Sequence, residues 1–304
     1  MAKKQSIVES VVEEVRYLVT NVKRHIMLAL TEVIQGSSNG DPQNESMPRI
    51  WPDGRIENSN VSTKAKIRKH FRESLGMPTY ITPGAVLNLT HKDIYRSIGV
   101  PVDVSGRRPT PAEGRAAALE LAKRFPDVRM FGAVSSTGDW PIPPITGPIQ
   151  VTWSLSENRP LWEVASITRS CVASEEEAEE QNGGNRTFGR VSLIRYALFR
   201  NAVFVSPELA RKTGLTEEDV DLFCRAMKYM YTGADQAAGR GIMTVRKIFD
   251  FQIEAGSAVM CQAQDLLSRV HVELKPGITE PLKWEDYTVT VDQDLPKGVV
   301  LIER

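Results

Sequence analysis

Lys64, Lys66, Arg68, Lys69 and Arg72 lie within nine residues with no acidic side chain among them. The whole chain carries 38 basic and 38 acidic side chains, so this excess is local. Ile67, Phe71 and Leu75 recur at helical spacing and predict an apolar stripe that docks on a sheet. Lys64, Arg68 and Arg72 keep the same spacing one position round. A helix pinned by one face, with cations along its seam, suits the phosphates of a nucleic acid. The same pattern also describes a plain solvated face.

Other groups could contact a nucleotide. Arg186 and Arg190 frame Asn185–Arg190 near the tip of an expected hairpin, with Phe188 and Gly189 between them and Arg169 opposite. Two guanidiniums, an accessible backbone and one aromatic suit a nucleotide backbone and a base wedge, or simply end a polar hairpin. Gly132, Ser135, Ser136 and Thr137 could turn backbone N–H groups toward phosphate or merely cap a loop. Arg240, between Gly239 and Gly241, marks a close backbone approach beside one cation, or a strand-entry turn. The acidic run Glu175–Glu180 would repel phosphate and is expected to face protein or solvent.

Catalytic spacing is absent. The chain contains no G-x-S-x-G, no phosphate-cradling G-x-x-x-x-G-K-S/T, no G-x-G-x-x-G and no H-E-x-x-H. Asp41 and Asp53 could hold a divalent metal beside RNA, but each sits in a turn-forming sequence, Asp41-Pro42 and Asp53-Gly54. Cys171, Cys224 and Cys261 are unpaired in spacing and argue against a disulfide frame or a zinc site. His25, His70, His91 and His271 form no ligand motif.

These groups need elements to hold them. Residues 5–22 read as an amphipathic helix with Val8, Val11, Val15, Leu18 and Val22 on one face. A strand is expected over 25–34, then a turn at 36–42 and the basic helix. Residues 76–126 are rich in Pro and Gly, with short helices near 92–97 and 113–124, and read as an insertion on a core. Residues 132–147 read as a loop. Strands follow at 149–155, 164–172 and 191–205, the last two forming a projecting hairpin across a long polar excursion. Ser206 and Thr216 cap helices, the second reaching about residue 231. Strands at 242–253, 270–274, 287–291 and 299–303 close the chain. The order strand, helix, strand, strand, helix, strand predicts an α+β fold with a ferredoxin-like or RRM-like sheet, a framework that commonly serves RNA.

Length and composition agree with a folded core. A chain of 304 residues buries about three quarters of its unfolded surface. Its 41% hydrophobic and 25% charged content is ordinary for a globular protein. No apolar run approaches the roughly 18 residues of a membrane span. Glu9, Glu13, Glu14 and Arg16 interrupt any signal-peptide core, so a cytoplasmic protein is expected.

Taken in order, several segments resemble the CRISPR-associated Cascade backbone family, the Cas-seven proteins of the RAMP superfamily, closest to the type I-C and I-B branches. They are Asn39–Pro42, Met47–Ile50, Lys64–Arg68, Phe131–Val134, Gly147–Gln150, Ser166–Arg169, Asn185–Arg190, Leu209–Gly214 and Ala237–Met243. The resemblance covers residues 25–304. It implies an RRM-like palm, finger-like helical insertions over about 76–147, a thumb hairpin over about 164–205, no cofactor and no catalytic activity. It implies a subunit that stacks head to tail with other copies along one CRISPR RNA. Other Cascade subunits would be its partners, and target DNA would be reached through the guide, in antiviral defence. Matched by motif, Lys64, Lys66 and Arg68 would bind phosphate, and Arg169, Arg186 and Arg190 would belong to the thumb. The Gly132–Thr137 loop and Arg240 are weaker matches. Residues 1–24 form an extension with no counterpart in the family, and the loop at Trp140–Pro144 is longer and richer in proline. The alternative within the same fold is a metal-dependent ribonuclease that uses Asp41, as the related type III proteins use an acidic residue in that loop.

Overall fold

Strand β1 (Arg24–Gly36) is buried almost throughout, which explains its continuous apolar run. Met27, Ala29 and Val33 point into one core, and Ile26, Leu28 and Leu30 into another. A computed structural model describes residues 21–44, 47–135, 138–169, 174–180, 187–233, 235–236, 240–254 and 261–304. For Arg169 and Phe188 it describes the backbone alone. The extension at residues 1–20, Ser136, Thr137 and Arg186 lie outside the described residues.

After β1 come β2 (Arg49–Ile50), β3 (Ile56–Asn58) and the basic helix α1 (Asn60–Glu73). Helices α2 (Leu87–Ser97), α3 (Pro111–Arg124) and α4 (Pro126–Phe131) follow. The segment expected as a loop instead pairs β4 (Gly132–Ser135) with β5 (Ile142–Thr146), because a short ladder tolerates prolines at its edge. The single strand expected over 149–155 divides into β6 (Ile149–Val151) and β7 (Ser154–Ser156). Thr152 sits between them, and its hydroxyl enters the ladder at Ala202.

Strand β8 (Trp162–Arg169) and the long β9 (Thr187–Val205) form the expected hairpin, in register from Trp162↔Ile194 to Arg169↔Thr187. A short acidic helix, α5 (Glu175–Glu180), lies in the excursion. Then come α6 (Pro207–Thr213), α7 (Glu217–Tyr229), β10 (Ile242–Ile253), α8 (Ala263–Leu267), β11 (Val270–Leu274), β12 (Tyr287–Val291) and β13 (Val299–Glu303). The caps behave as expected. Ser206 accepts from the Leu209 amide, and Thr216 with Asp219 closes a capping box.

The main sheet runs β13-β10-β1-β9-β7-β3-β2, with β6 and β8 also on β9, and these strands pair antiparallel. One face packs on α1, α6 and α7 through Ile67, Phe71, Ala210, Phe223 and Met227. The other face is covered by α8, β11 and β12, which set Leu266, Val270 and Tyr287 on Leu28, Tyr196, Leu198 and Phe251, with Val299 of the edge strand β13 beside them. A third cluster, around Tyr95, Leu121, Trp140 and Ile142, gives the inserted helices their own core. Arg129 ties that insertion to α7 through two bonds to Asp219, at 2.8 and 2.7 Å.

β1 and β10 cross closely where they leave the sheet. A Cβ on Gly241 (φ +64°) would lie 2.2 Å from the Ile34 carbonyl oxygen, and one on Gly36 1.8 Å from that of Arg240. Only glycine permits this crossing.

At the other end of β1, His25 is fully buried, 2.9 Å from Asp250 and 3.4 Å from Glu217. Arg304 closes the group by reaching Asp250 and Asp221. Burial opposes the imidazolium, but hydrogen bonds and charge from Asp250 and Glu217 outweigh it and raise the pKa to about 9. A raised folded-state pKa stabilises fully below the ordinary value and is lost as pH climbs through the folded one. Unfolding free energy should therefore fall between pH 6.5 and about 9, by on the order of 3 kcal/mol. His25→Gln should flatten that slope in denaturant titrations; an unchanged slope would rule out His25 as its source.

Candidate nucleic-acid interface

Helix α1 starts at Ser59, whose hydroxyl accepts from the Ser62 amide. Ser59 in turn donates its own N–H and hydroxyl to the Asn39 side chain, at 3.0 and 2.6 Å. This links the end of β1 to the start of the helix. Ile67 and Phe71 enter the core as expected. Leu75 does not: it lies past the helix end and is exposed, because the helix stops at Glu73 and the chain turns away.

The five cations of α1 have different fates. Lys66 is buried and lies 2.8 Å from Asp235, which Lys69 also meets at 3.0 Å. Arg240 approaches the same carboxylate at 3.5 Å and also reaches the Ser37 and Ser38 carbonyls. Lys66, Lys69 and Arg240 thus converge on one carboxylate. Burial alone would raise the pKa of Asp235, but the bonds from Lys66 and Lys69 and the charge of Arg240 hold it below the usual range. Burial lowers that of Lys66.

Arg68 donates to Asp127 at 2.9 Å. That carboxylate is buried in the first turn of α4 and also accepts from the Tyr80 amide at 2.8 Å. Arg72 bonds Thr79 and the Ile81 carbonyl. Arg68 and Arg72 therefore pin the entry of the insertion to α1. Lys64 has no acidic partner among the described residues. Its ammonium lies 5.5 Å from the centre of the Phe131 ring, which Arg68 also approaches at 5.3 Å. Burial and the neighbouring Arg68 hold its pKa below the lysine norm.

Phe131 leads into Gly132, which has φ +74°; a Cβ there would meet the Ile145 carbonyl oxygen at 2.1 Å. Gly132 thus serves a close packing of β4 against the Gly147 turn. Ser135 is fully buried, and its hydroxyl pairs with that of Tyr80 at 2.8 Å, so its side chain is not open to phosphate. The same Tyr80 hydroxyl meets His91 at 2.8 Å.

On the hairpin, Arg190 is exposed opposite Ser166 and has no acidic partner among the described residues. Phe188 pairs with Thr168 and Arg169 with Thr187 in the ladder. Ile167 is exposed, and its side chain lies across Gly189. Asp41 sits in an Asx turn, accepting from the Gln43 amide and the Asn44 side chain. These bonds, the Gln43 amide foremost, lower its pKa. Asp53 pairs with Arg55. Among the described residues no three His, Cys, Asp or Glu side chains group as metal ligands.

The positions missed from sequence are Asp127 and Asp235. Each is a lone acid far along the chain from the cations it neutralises, so no local pattern marks it. Removing a partner from a buried pair costs about 3–5 kcal/mol. Asp127→Ala should lower unfolding free energy by that amount. Lys64→Ala, which breaks no ion pair, should cost at most about 1 kcal/mol. Equal losses for both in denaturant titrations would refute this division of roles.

Among solved structures, the chain is similar to one from a CRISPR RNA-guided surveillance complex, pre-nicking, at 13% identity. That match covers 78% of this chain and 80% of that one, with a TM-score of 0.47. A chain of another CRISPR RNA-guided surveillance complex is similar at 13% identity, covering 78% and 72%, with a TM-score of 0.43. One from a type III-B Cmr-beta complex bound to cognate target RNA is similar at 11% identity, covering 79% and 65%, with a TM-score of 0.39. No curated protein matches the chain. The family model described as CRISPR-associated protein Cas7 aligns with residues 23–292, from the start of β1 past the end of β12, and the chain belongs to that family.

Proposed function

We propose that this chain is a non-catalytic backbone subunit of a type I-C or I-B-like Cascade complex. It binds CRISPR RNA, stacks head to tail with further copies along the guide beside other Cascade subunits, and presents the guide to target DNA. The family match across residues 23–292 carries this reading.

The sheet order β10-β1-β9-β6, with α1 following β1 and α7 preceding β10, supports an RRM-like palm. The helices between Leu87 and Phe131 act as fingers and β8–β9 as the thumb. An RRM stacks bases on the open face of its sheet. Here both central faces are buried, so the guide runs along the rim. Lys64 and Arg190 offer cations there that have no acidic partner among the described residues. Lys66, Lys69 and Arg240, gathered on Asp235, tie the helix to the entry of β10, with Arg68 and Arg72 holding the inserted helices. Backbone contacts of this kind tolerate any spacer sequence. The ribonuclease alternative rests on Asp41, whose carboxylate is already engaged within its own turn.

Single-stranded RNA of increasing length, titrated with the full chain in magnesium, should give a ladder of complexes with the RNA intact. Lys64→Ala and Arg190→Ala should each reduce the salt slope of binding by about one, equally for unrelated sequences. Losses that differ between sequences, or RNA fragments that vanish in Asp41→Ala, would overturn the reading.

A further inference from the structure

We propose that the uncovered end of the sheet's second face, around Trp51, Arg49 and Trp153, is a stacking platform for unpaired bases of a single-stranded nucleic acid. This rests on the nucleic-acid-binding reading above but places a contact on a different surface from α1 and the hairpin.

The strand register defines the surface. Arg49 lies opposite Glu57, Glu57 opposite Leu155, and Leu155 opposite Arg200. Cross-strand partners share a face. Their neighbours Ile56, Asn58 and Ser154 are buried toward the helices, so this row faces the other way. That is the face which α8, β11 and β12 cover at the centre of the sheet. At the β7-β3-β2 end it emerges into solvent, and Trp51 and Trp153 are each 48% exposed.

An arginine accompanies the exposed indoles. The Arg49 guanidinium lies over Trp153, 5.8 Å from the ring centre, and shows no ion pair to Glu57, its partner in the ladder. Among the described residues its one ion-pair contact is Asp41 at 4.0 Å, and its Nε is buried with no hydrogen-bond partner. Trp51 lies just past the end of β2 and continues its ladder by one step, its amide donating to the Arg55 carbonyl. It closes a tight turn to Gly54, across which the exposed Arg159 side chain lies. The acid at this tip, Asp53, is neutralised by Arg55 at 2.7 Å.

Indole rings stack on the π-face of any base, and arginine adds cation–π attraction. Charge here is close to balanced, with Arg49, Arg55 and Arg159 facing Asp41, Asp53 and Glu57, so bases rather than phosphates supply the contact. The platform is also continuous with the proposed interface. β3 ends at Asn58, and Ser59 caps α1 directly after it.

The test compares uridine RNA and thymidine DNA homopolymers with abasic strands of equal length, titrated against the full chain at one salt concentration. The wild type should bind intact strands tenfold or more tightly than abasic ones. Trp51→Ala with Trp153→Ala should lose most of that ratio while keeping its affinity for abasic strands. Trp51→Phe with Trp153→Phe should restore it. A loss seen with only one sugar supports the platform and identifies the strand as RNA or DNA. An Ala variant with the wild-type ratio overturns the platform alone. The same holds if the substitutions alter only self-association in sedimentation, which would make the patch a protein contact. If the wild type binds neither strand, the nucleic-acid reading and the platform fall together.

Discussion

Burial of both faces of the central sheet is the constraint on which the rest of the structure depends. β1 and β9 lie between neighbours on each side, and their side chains alternate between two cores. A sheet of this kind cannot offer its centre to a ligand. Each large apolar side chain so buried contributes about 1.5–3 kcal/mol, and removing the C-terminal cover would expose a whole row of them. The proposed recognition surfaces therefore lie on the rim: the close approach of β1 and β10, the exposed side of α1, the hairpin and the far end of the sheet.

The rim is built by spending charge. A basic helix beside a hydrophobic core would be costly if every cation were desolvated alone. Asp127 and Asp235 solve this by taking the innermost cations into ion pairs, which also lock the inserted helices and the β1–β10 crossing to α1. Lys64 and Arg190 stay outside these pairs, with no acidic partner among the described residues. A chain of zero formal net charge can therefore still present a cationic groove.

Much of this was legible in the residues. The continuous apolar run of β1, the N-caps at Ser206 and Thr216, and the strands at 242–253, 270–274, 287–291 and 299–303 all follow local rules, and the structure contains them. The hairpin was legible because two alternating segments flank a polar excursion. Three features escaped. The pairing of β4 with β5 was hidden by Pro143 and Pro144, which read as loop in isolation. The sorting of cations into paired and open ones depends on acids 59 and 166 residues away from Arg68 and Lys69, so only tertiary contacts reveal it. The exposure of Leu75 has the same origin. Helical spacing continues past Glu73, but the helix does not.

The central claim is that nucleic acid follows the rim and never reaches the covered face of the sheet. Photocrosslinking of thiouridine-substituted single-stranded RNA to the full chain, mapped by mass spectrometry, tests it most directly. The account predicts adducts on α1, around Arg190 and at the Trp51–Trp153 edge, with none on β11 or β12. Adducts concentrated on β11, β12 or α8 would mean that the C-terminal cover opens and that the sheet itself is the binding surface.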